Sequence, residues 1–218
     1  MAEYKERKIN VLKFVSVLAI TILIFVAGIL FGQFLTNVKS NSIKAVDQEL
    51  LFELQDIQVQ AQAAQDFPCG SSELFVLGSR IDDLGAKITN LENQLGKTDE
   101  RIIALKRPYS LLLIQHYLLI KSRVERCGEK YTLVLFFYSN KPENIEAGER
   151  QGYILGYLAN KYGYDNVKVY SLDGDLDVGA IDVLEERYGI KVYPTTVIND
   201  KVFVGFHDRD ELERLFSW

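Results

Sequence analysis

Tyr188-Gly189-Ile190-Lys191-Val192-Tyr193-Pro194-Thr195-Thr196 links a helical pattern to a pair of short strands. After it, Thr195-Thr196-Val197-Ile198 and Lys201-Val202-Phe203-Val204-Gly205 flank Asn199-Asp200, a dipeptide suited to a hairpin turn. Asp208 can cap a last helix through Leu215. Before it, a short helix is predicted over about 176–188 and a strand over Val167-Lys168-Val169-Tyr170. A longer helix over about 143–162 carries Ile145, Ile154, Leu155 and Leu158 among its apolar positions. Further upstream, Tyr131-Thr132-Leu133-Val134-Leu135-Phe136-Phe137-Tyr138 is β-branched and aromatic throughout, the pattern of a buried strand. The element order is βαβαββα.

This order, the strand ending in Phe136-Phe137-Tyr138, and the run Tyr188–Thr196 before a hairpin with Gly205 resemble the thioredoxin superfamily over about 131–217. The resemblance implies a thioredoxin fold in which Pro194 sits in a cis-proline loop. It also implies a peptide-binding surface, with Val192, Tyr193, Pro194 and Thr195 facing Tyr138, Ser139, Asn140 and Lys141. The aromatic rings there offer apolar area with polar tips. One departure bears on the chemistry. Where the family carries Cys-x-x-Cys, this chain has about Lys141-Pro142-Glu143-Asn144, and 131–217 holds no cysteine. Disulfide exchange needs a thiolate, so this part of the chain cannot run it unaided.

Upstream of Tyr131 the texture is helical. Ile43, Leu50, Ile57 and Ala64 recur every seven residues, with Val46, Leu54 and Ala61 near the same stripe. That helix stops near Asp66-Phe67-Pro68-Cys69-Gly70, a turn-forming cluster. Leu74, Leu77, Ile81, Leu84, Ile88, Leu91 and Leu95 then form an a/d seam over three heptads, with Ser71 or Ser72 as cap and Gly96 as terminator. Gly78 and Gly85 lie beside the seam, either admitting a neighbouring helix closely or simply tolerated. A third helix is expected after Thr98, its N-cap, running to Cys127-Gly128, with Pro108 kinking or splitting it. The seam can close within the hairpin or join two chains as a homo-oligomer.

Cys69 and Cys127 are the only cysteines. With the hairpin turn at Lys97 the two arms have nearly equal length, which brings both thiols to one end. A Cys69–Cys127 disulfide is therefore predicted. The rival reading makes the same two residues the redox pair of a thiol–disulfide exchange protein, because Cys69 precedes a helix N-terminus, a position that lowers a thiol pKa.

From Phe14 to Val38 no residue is charged. About 20 apolar residues in a helix cross a bilayer, and this run exceeds the apolar core of a signal peptide and lacks its small-residue cleavage pattern. Lys5, Arg7, Lys8 and Lys13 precede it, against Lys39 and Lys44 just after, so the positive-inside rule keeps the N-terminus cytoplasmic. The expected class is α+β: a cytoplasmic segment 1–13, a transmembrane helix 14–38, an α-helical hairpin or coiled-coil stalk 39–128, and a thioredoxin-like α/β domain 129–218 in an extracytoplasmic, disulfide-permissive compartment.

Other signals carry less. Asp173-Gly174-Asp175-Leu176-Asp177 has its glycine misplaced for a calcium loop and Leu184 at the twelfth position; it reads as a solvated loop. Gly96-Lys97-Thr98 lacks the first glycine of a phosphate loop, Leu91 standing there. His116 and His207 are too few and scattered for a metal site. The segment Tyr109–Ile120 holds Gln115 and His116 and is too short for a second span. A net charge of −5 argues against a nucleic-acid surface. No cofactor is implied. These observations point to a membrane-anchored binding or assembly protein with unidentified protein partners and no catalytic residues of its own.

Overall fold

A computed structural model describes residues 11–71 and 73–216, with side chains over 15–33 and from 48 onward. The charged flank Lys5, Arg7 and Lys8, and Ser72, lie outside the described residues. So do the side chains of Lys13, Lys39, Ile43, Lys44 and Val46. The chain forms two units, Met1–Gln48 and Glu49–Trp218.

The first unit is helical, the N-terminal part of α1 (Val11–Ala63). Its stretch Val15–Gln33 has a mean hydropathy of 2.7 and exposes its apolar side chains. It is the one described segment long and apolar enough to cross a membrane. Thr21 Oγ1 donates to the Val17 carbonyl at 2.9 Å, so its hydroxyl is satisfied within the helix.

The second unit is α+β. The end of α1 passes through one 3-10 turn, Ala64–Asp66, into an extended Phe67. Then come α2 (Glu73–Leu95), α3 (Glu100–Cys127), β1 (Thr132–Tyr138), α4 (Pro142–Tyr162), β2 (Val167–Asp173), α5 (Gly179–Tyr188), β3 (Thr195–Ile198), β4 (Lys201–Val204) and α6 (Arg209–Glu213). The four strands form one mixed sheet in the order β2-β1-β3-β4. β1 is parallel to β2 and antiparallel to β3, and β3 is antiparallel to β4. Asn199 and Asp200 both take positive φ, 47° and 66°, the primed hairpin turn expected of that dipeptide. Asp208 caps α6, its carboxylate accepting from the Glu211 amide at 2.8 Å.

Alternation along β1 splits the core. Leu133, Leu135 and Phe137 face α3 and α5, while Val134 and Phe136 face Leu155, Leu158, Leu212 and Phe216 of α4 and the α6 region. The hairpin expected as a stalk belongs to the first of these clusters: Leu74, Leu77, Ile81, Leu84 and Ile88 are buried with Leu133 and Leu135. From Glu49 onward the predicted stalk therefore shares one compact unit with the sheet, and its a/d residues are covered by this chain. The α1 stripe Leu50, Leu54, Ile57, Ala61 and Ala64 is buried in the same cluster. Ion pairs Asp56–Arg80 (2.8 Å) and Glu53–Lys87 (2.7 Å) set that end of α1 antiparallel to α2.

Three local expectations change. The α3 cap is Asp99, not Thr98: its carboxylate accepts from the Arg101 amide and from that residue's guanidinium, which holds the acid at about 2. Pro108 does not split α3: one helix spans Glu100–Cys127, and the proline removes only one internal donor. Gly85 admits a close neighbour: a Cβ there would lie 2.2 Å from the Tyr109 hydroxyl, so the tyrosine ring would have to shift.

Candidate functional site

Cys69 and Cys127 are joined, with Cα atoms 5.7 Å apart. Around them Arg123, 1% exposed, donates to the Phe67 and Pro68 carbonyls at 2.6 Å each and to Glu129 at 2.8 Å. Glu129 in turn accepts from the Gly70 amide at 3.0 Å. Burial raises the Glu129 acid, but the Gly70 amide and Arg123 outweigh it and hold it below its ordinary range. The disulfide thus sits in a clamp between the α1–α2 turn and the end of α3, just before β1 begins.

The resemblance-implied residues gather at the other end of β1. The Tyr193–Pro194 bond is cis, as expected. Register places Phe137 opposite Thr195, so Tyr138 and Pro194 follow side by side where the strands end. Gly174 joins the two loops: its amide donates to the Tyr138 carbonyl at 2.8 Å, and the Tyr193 ring lies so close over it that a Cβ would be 2.2 Å from the phenol oxygen. The Tyr193 hydroxyl donates to Glu185 at 2.6 Å, and burial, then Glu185, raise its pKa. The Pro194 carbonyl accepts from the Gly205 amide at 2.8 Å, and Thr195 Oγ1 donates to the Val192 carbonyl at 2.7 Å. Thr195 is fully buried, while Val192 is exposed.

On the facing loop the polar groups are bound to Asp173 at the end of β2, to Asp175 just after it, or to one another. Ser139, buried, donates to Asp175 at 2.9 Å and accepts from the Lys141 amide at 3.2 Å. Asn140 gives its amide to Asp175 and its side-chain Nδ2 to Asp173, both at 2.6 Å. Lys141, exposed at the N-cap of α4, points its ammonium to within 3.7 Å of Asp175. Asp173 is 4% exposed and also holds Lys106 at 2.8 Å, which lies 3.4 Å from Glu92. Burial pulls the Lys106 ammonium down, but the Tyr138 hydroxyl and the Asp173 and Glu92 carboxylates carry it above its usual value. Burial lifts the Tyr138 phenol to about 12.

The turn read from sequence as a solvated loop is therefore half wrong. Asp175 is exposed, but Asp173 is the buried centre of the site, and its partner Lys106 lies on α3. No local motif announces that pairing. A carboxylate at the end of β2 and a lysine on the apolar face of α3 are the faint signal in the sequence. Adjoining the cluster, a groove of about 740 Å³ opens between the hairpin and β2, lined in part by Glu92, Lys106, Tyr109 and Tyr138. Among the described residues no group of histidines, cysteines and acids is placed to hold a metal ion.

Strand order, connections and the cis-proline loop together define a thioredoxin-like fold with no thiol at its strand–helix junction. No family model matches the chain, and no curated protein matches it. Among solved structures, chloroplastic thioredoxin z is similar over 44% of this chain and 84% of that chain, with 18% identity and a TM-score of 0.33. The fold assignment rests on the topology, not on that likeness.

Proposed function

We propose that this chain is a membrane-anchored, extracytoplasmic binding or assembly protein whose thioredoxin-like part is redox-inactive. The observation that carries this reading is the loop from Ser139 to Lys141. It holds no nucleophilic thiol, and its polar groups are tied to Asp173 and Asp175. Such a loop is a rigid surface rather than a reactive one. The Cys69–Cys127 bridge supports a structural role for the two cysteines. It precedes β1, whereas the cis-proline loop lies beyond the far end of that strand, about 20 Å away for seven residues. A redox pair needs its thiolate beside the bound substrate, and this pair is a strand length off.

The binding surface proposed is the loop pair itself, with Val192 and Lys141 exposed beside the fixed ring of Tyr193. Crosslinking in native membranes tests it. Val192→Lys, which perturbs an exposed side chain only, and Tyr193→Ala should both remove crosslinked species that the wild type shows. Unchanged crosslinking in both variants refutes this surface. A reporter active only outside the cytoplasm, fused after Trp218, tests the orientation, and an inactive fusion refutes it. Insulin reduction that depends on Cys69 would refute the redox-inactive reading.

A further inference from the structure

The outer edge of β2 combines three costs that the fold itself does not require. Two bonds fix which backbone groups of β2 face β1. The Thr132 amide donates to the Asn166 carbonyl at 2.7 Å, and the Gly174 amide to the Tyr138 carbonyl at 2.8 Å, with Thr132 opposite Val167 and Tyr138 opposite Asp173. Bonds to one neighbour use alternate residues of a parallel strand. Lys168, Tyr170 and Leu172 therefore bond to β1, and the N–H and C=O groups of Val169 and Ser171 point outward. Among the described residues β2 pairs with β1 alone, and nothing bonds to those four groups. They open onto the 740 Å³ groove and onto an adjoining recess of about 240 Å³.

On one side of this edge α4 presents Gly152 and Gly156, four residues apart, which line the smaller recess. Each glycine in a helix interior costs about 1 kcal/mol relative to alanine. A Cβ on Gly156 would meet nothing within 4 Å, and one on Gly152 would meet the Phe136 ring at an ordinary 3.6 Å, so packing within this chain demands neither. On the other side stands His116, 2% exposed, whose Nε2 has no hydrogen-bond partner and which lines the smaller recess. Asp82 and Lys168 share that side. Burial drives the Asp82 acid up and the Lys168 ammonium down, as befits charges that are not closely paired.

We propose that the β2 edge accepts an extended segment of a partner protein as a fifth strand, with small or apolar side chains toward α4 and a basic side chain toward α2. Strand addition satisfies the Val169 and Ser171 backbone groups. Alternate side chains of the added strand point to opposite faces, which here differ in chemistry: bare glycine backbone on one, ionised groups on the other. The groove is lined by the carboxylates of Asp82, Glu92 and Asp165 against the ammonium groups of Lys106 and Lys168. Lys106 is already held by Asp173 and Glu92, so the unmet charge is negative and favours a cation. A second copy fits poorly, because its own β2 edge is recessed between the same two helices and two recessed edges cannot meet. This site is separate from the cis-proline loop, and its failure leaves the reading of that loop untouched.

The test uses the full chain in nanodiscs and a panel of nine-residue peptides alternating valine or alanine with threonine, with lysine at one central position. A matched panel carries glutamate instead. The expected result is saturable binding of lysine peptides, slowed exchange of the Val169 and Ser171 amides, and loss of binding when one alternate set of peptide nitrogens is methylated but not the other. Ser171→Pro removes an outward donor that β1 does not use, and proline is tolerated on edge strands. Gly156→Leu projects a side chain from α4 into the smaller recess, its Cβ starting from a point with nothing within 4 Å. Each should weaken binding by about tenfold or more, an amount that one lost contact of about 1.4 kcal/mol produces. Should Ser171→Pro fail to fold, Gly156→Leu decides. No binding by any peptide, binding without protection of those two amides, affinity unchanged in the variants, or preference for the glutamate panel would each overturn the proposal.

Discussion

Replacing Arg123 with methionine should cost this protein about 3–5 kcal/mol, the range for removing one partner of a buried ion pair. The guanidinium holds three acceptors at once. It donates to two backbone carbonyls, Phe67 and Pro68, and to the Glu129 carboxylate, and hydrogen bonds to charged groups contribute about 1.5–3 kcal/mol each. Methionine fills similar space, so the packing loss is small and the loss is electrostatic. Urea unfolding of the detergent-solubilised full chain, followed by near-ultraviolet circular dichroism of its tyrosines, reads the effect. With a slope of about 2.5 kcal/mol per molar urea, the midpoint should fall by about 1.5 M. Arg123→Lys should fall between, since one ammonium cannot span two carbonyls and a carboxylate. The clamp is also pH-dependent. The Glu129 acid lies lower in the folded protein than in the unfolded chain, so its contribution is complete above the unfolded value and disappears as pH drops through the folded one. Reduction of the disulfide acts on the same turn, so the two losses should add to less than their sum. A midpoint shift under about 0.4 M, or strict additivity with reduction, would refute the claim that Arg123 ties this junction.

Other measurements follow from the same structure. Reduction of Cys69–Cys127, which closes a loop of 58 residues' separation, should lower stability by about 4 kcal/mol on the chain-entropy account; equal midpoints in oxidised and reduced protein would contradict it. Gly85→Ala should destabilise by about 1–3 kcal/mol through overpacking against Tyr109, and Gly85→Ala with Tyr109→Phe should recover part of that. Burial, with Lys168 nearby, holds His116 down to about 4. Its unfolded value is about 6.5, so the unfolded chain binds the extra proton across that window. Stability should be level above pH 6.5 and fall by roughly 3 kcal/mol toward pH 4, and His116→Phe should flatten the profile.

The parts legible in the sequence are those written into local periodicity and turn chemistry. The βαβαββα order follows from alternation and helical spacing, the hairpin from Asn199-Asp200, and the disulfide from equal arm lengths about Lys97. What the hairpin packs against was not legible. The seam from Leu74 to Ile88 declares one apolar face, and an apolar face is equally satisfied by a partner helix, a second chain or a sheet. Only tertiary placement decides that it is covered by Leu133, Leu135 and the end of α1. Asp173 illustrates the same limit for a charge. Its neighbours in sequence make an ordinary acidic turn, and its meaning comes from Lys106, a partner 67 residues away.

The β2 edge was invisible for a further reason: an unpaired strand looks the same in sequence as a paired one. Stability alone would not leave it as it is. Alanine at Gly156 would favour the helix by about 1 kcal/mol and would touch nothing, a partner for His116 Nε2 would remove a buried unsatisfied atom, and a short cover over Val169 and Ser171 would close an exposed edge. Each defect taken singly has a bland explanation. Their convergence on one recess, from a strand and two separate helices, does not, because independent tolerances have no reason to share a location. Departures from local rules that coincide in space are the pattern expected of a site whose missing component is supplied from outside the chain. The β2 edge, more than the thiol-free loop, is therefore where this chain lacks a physical partner.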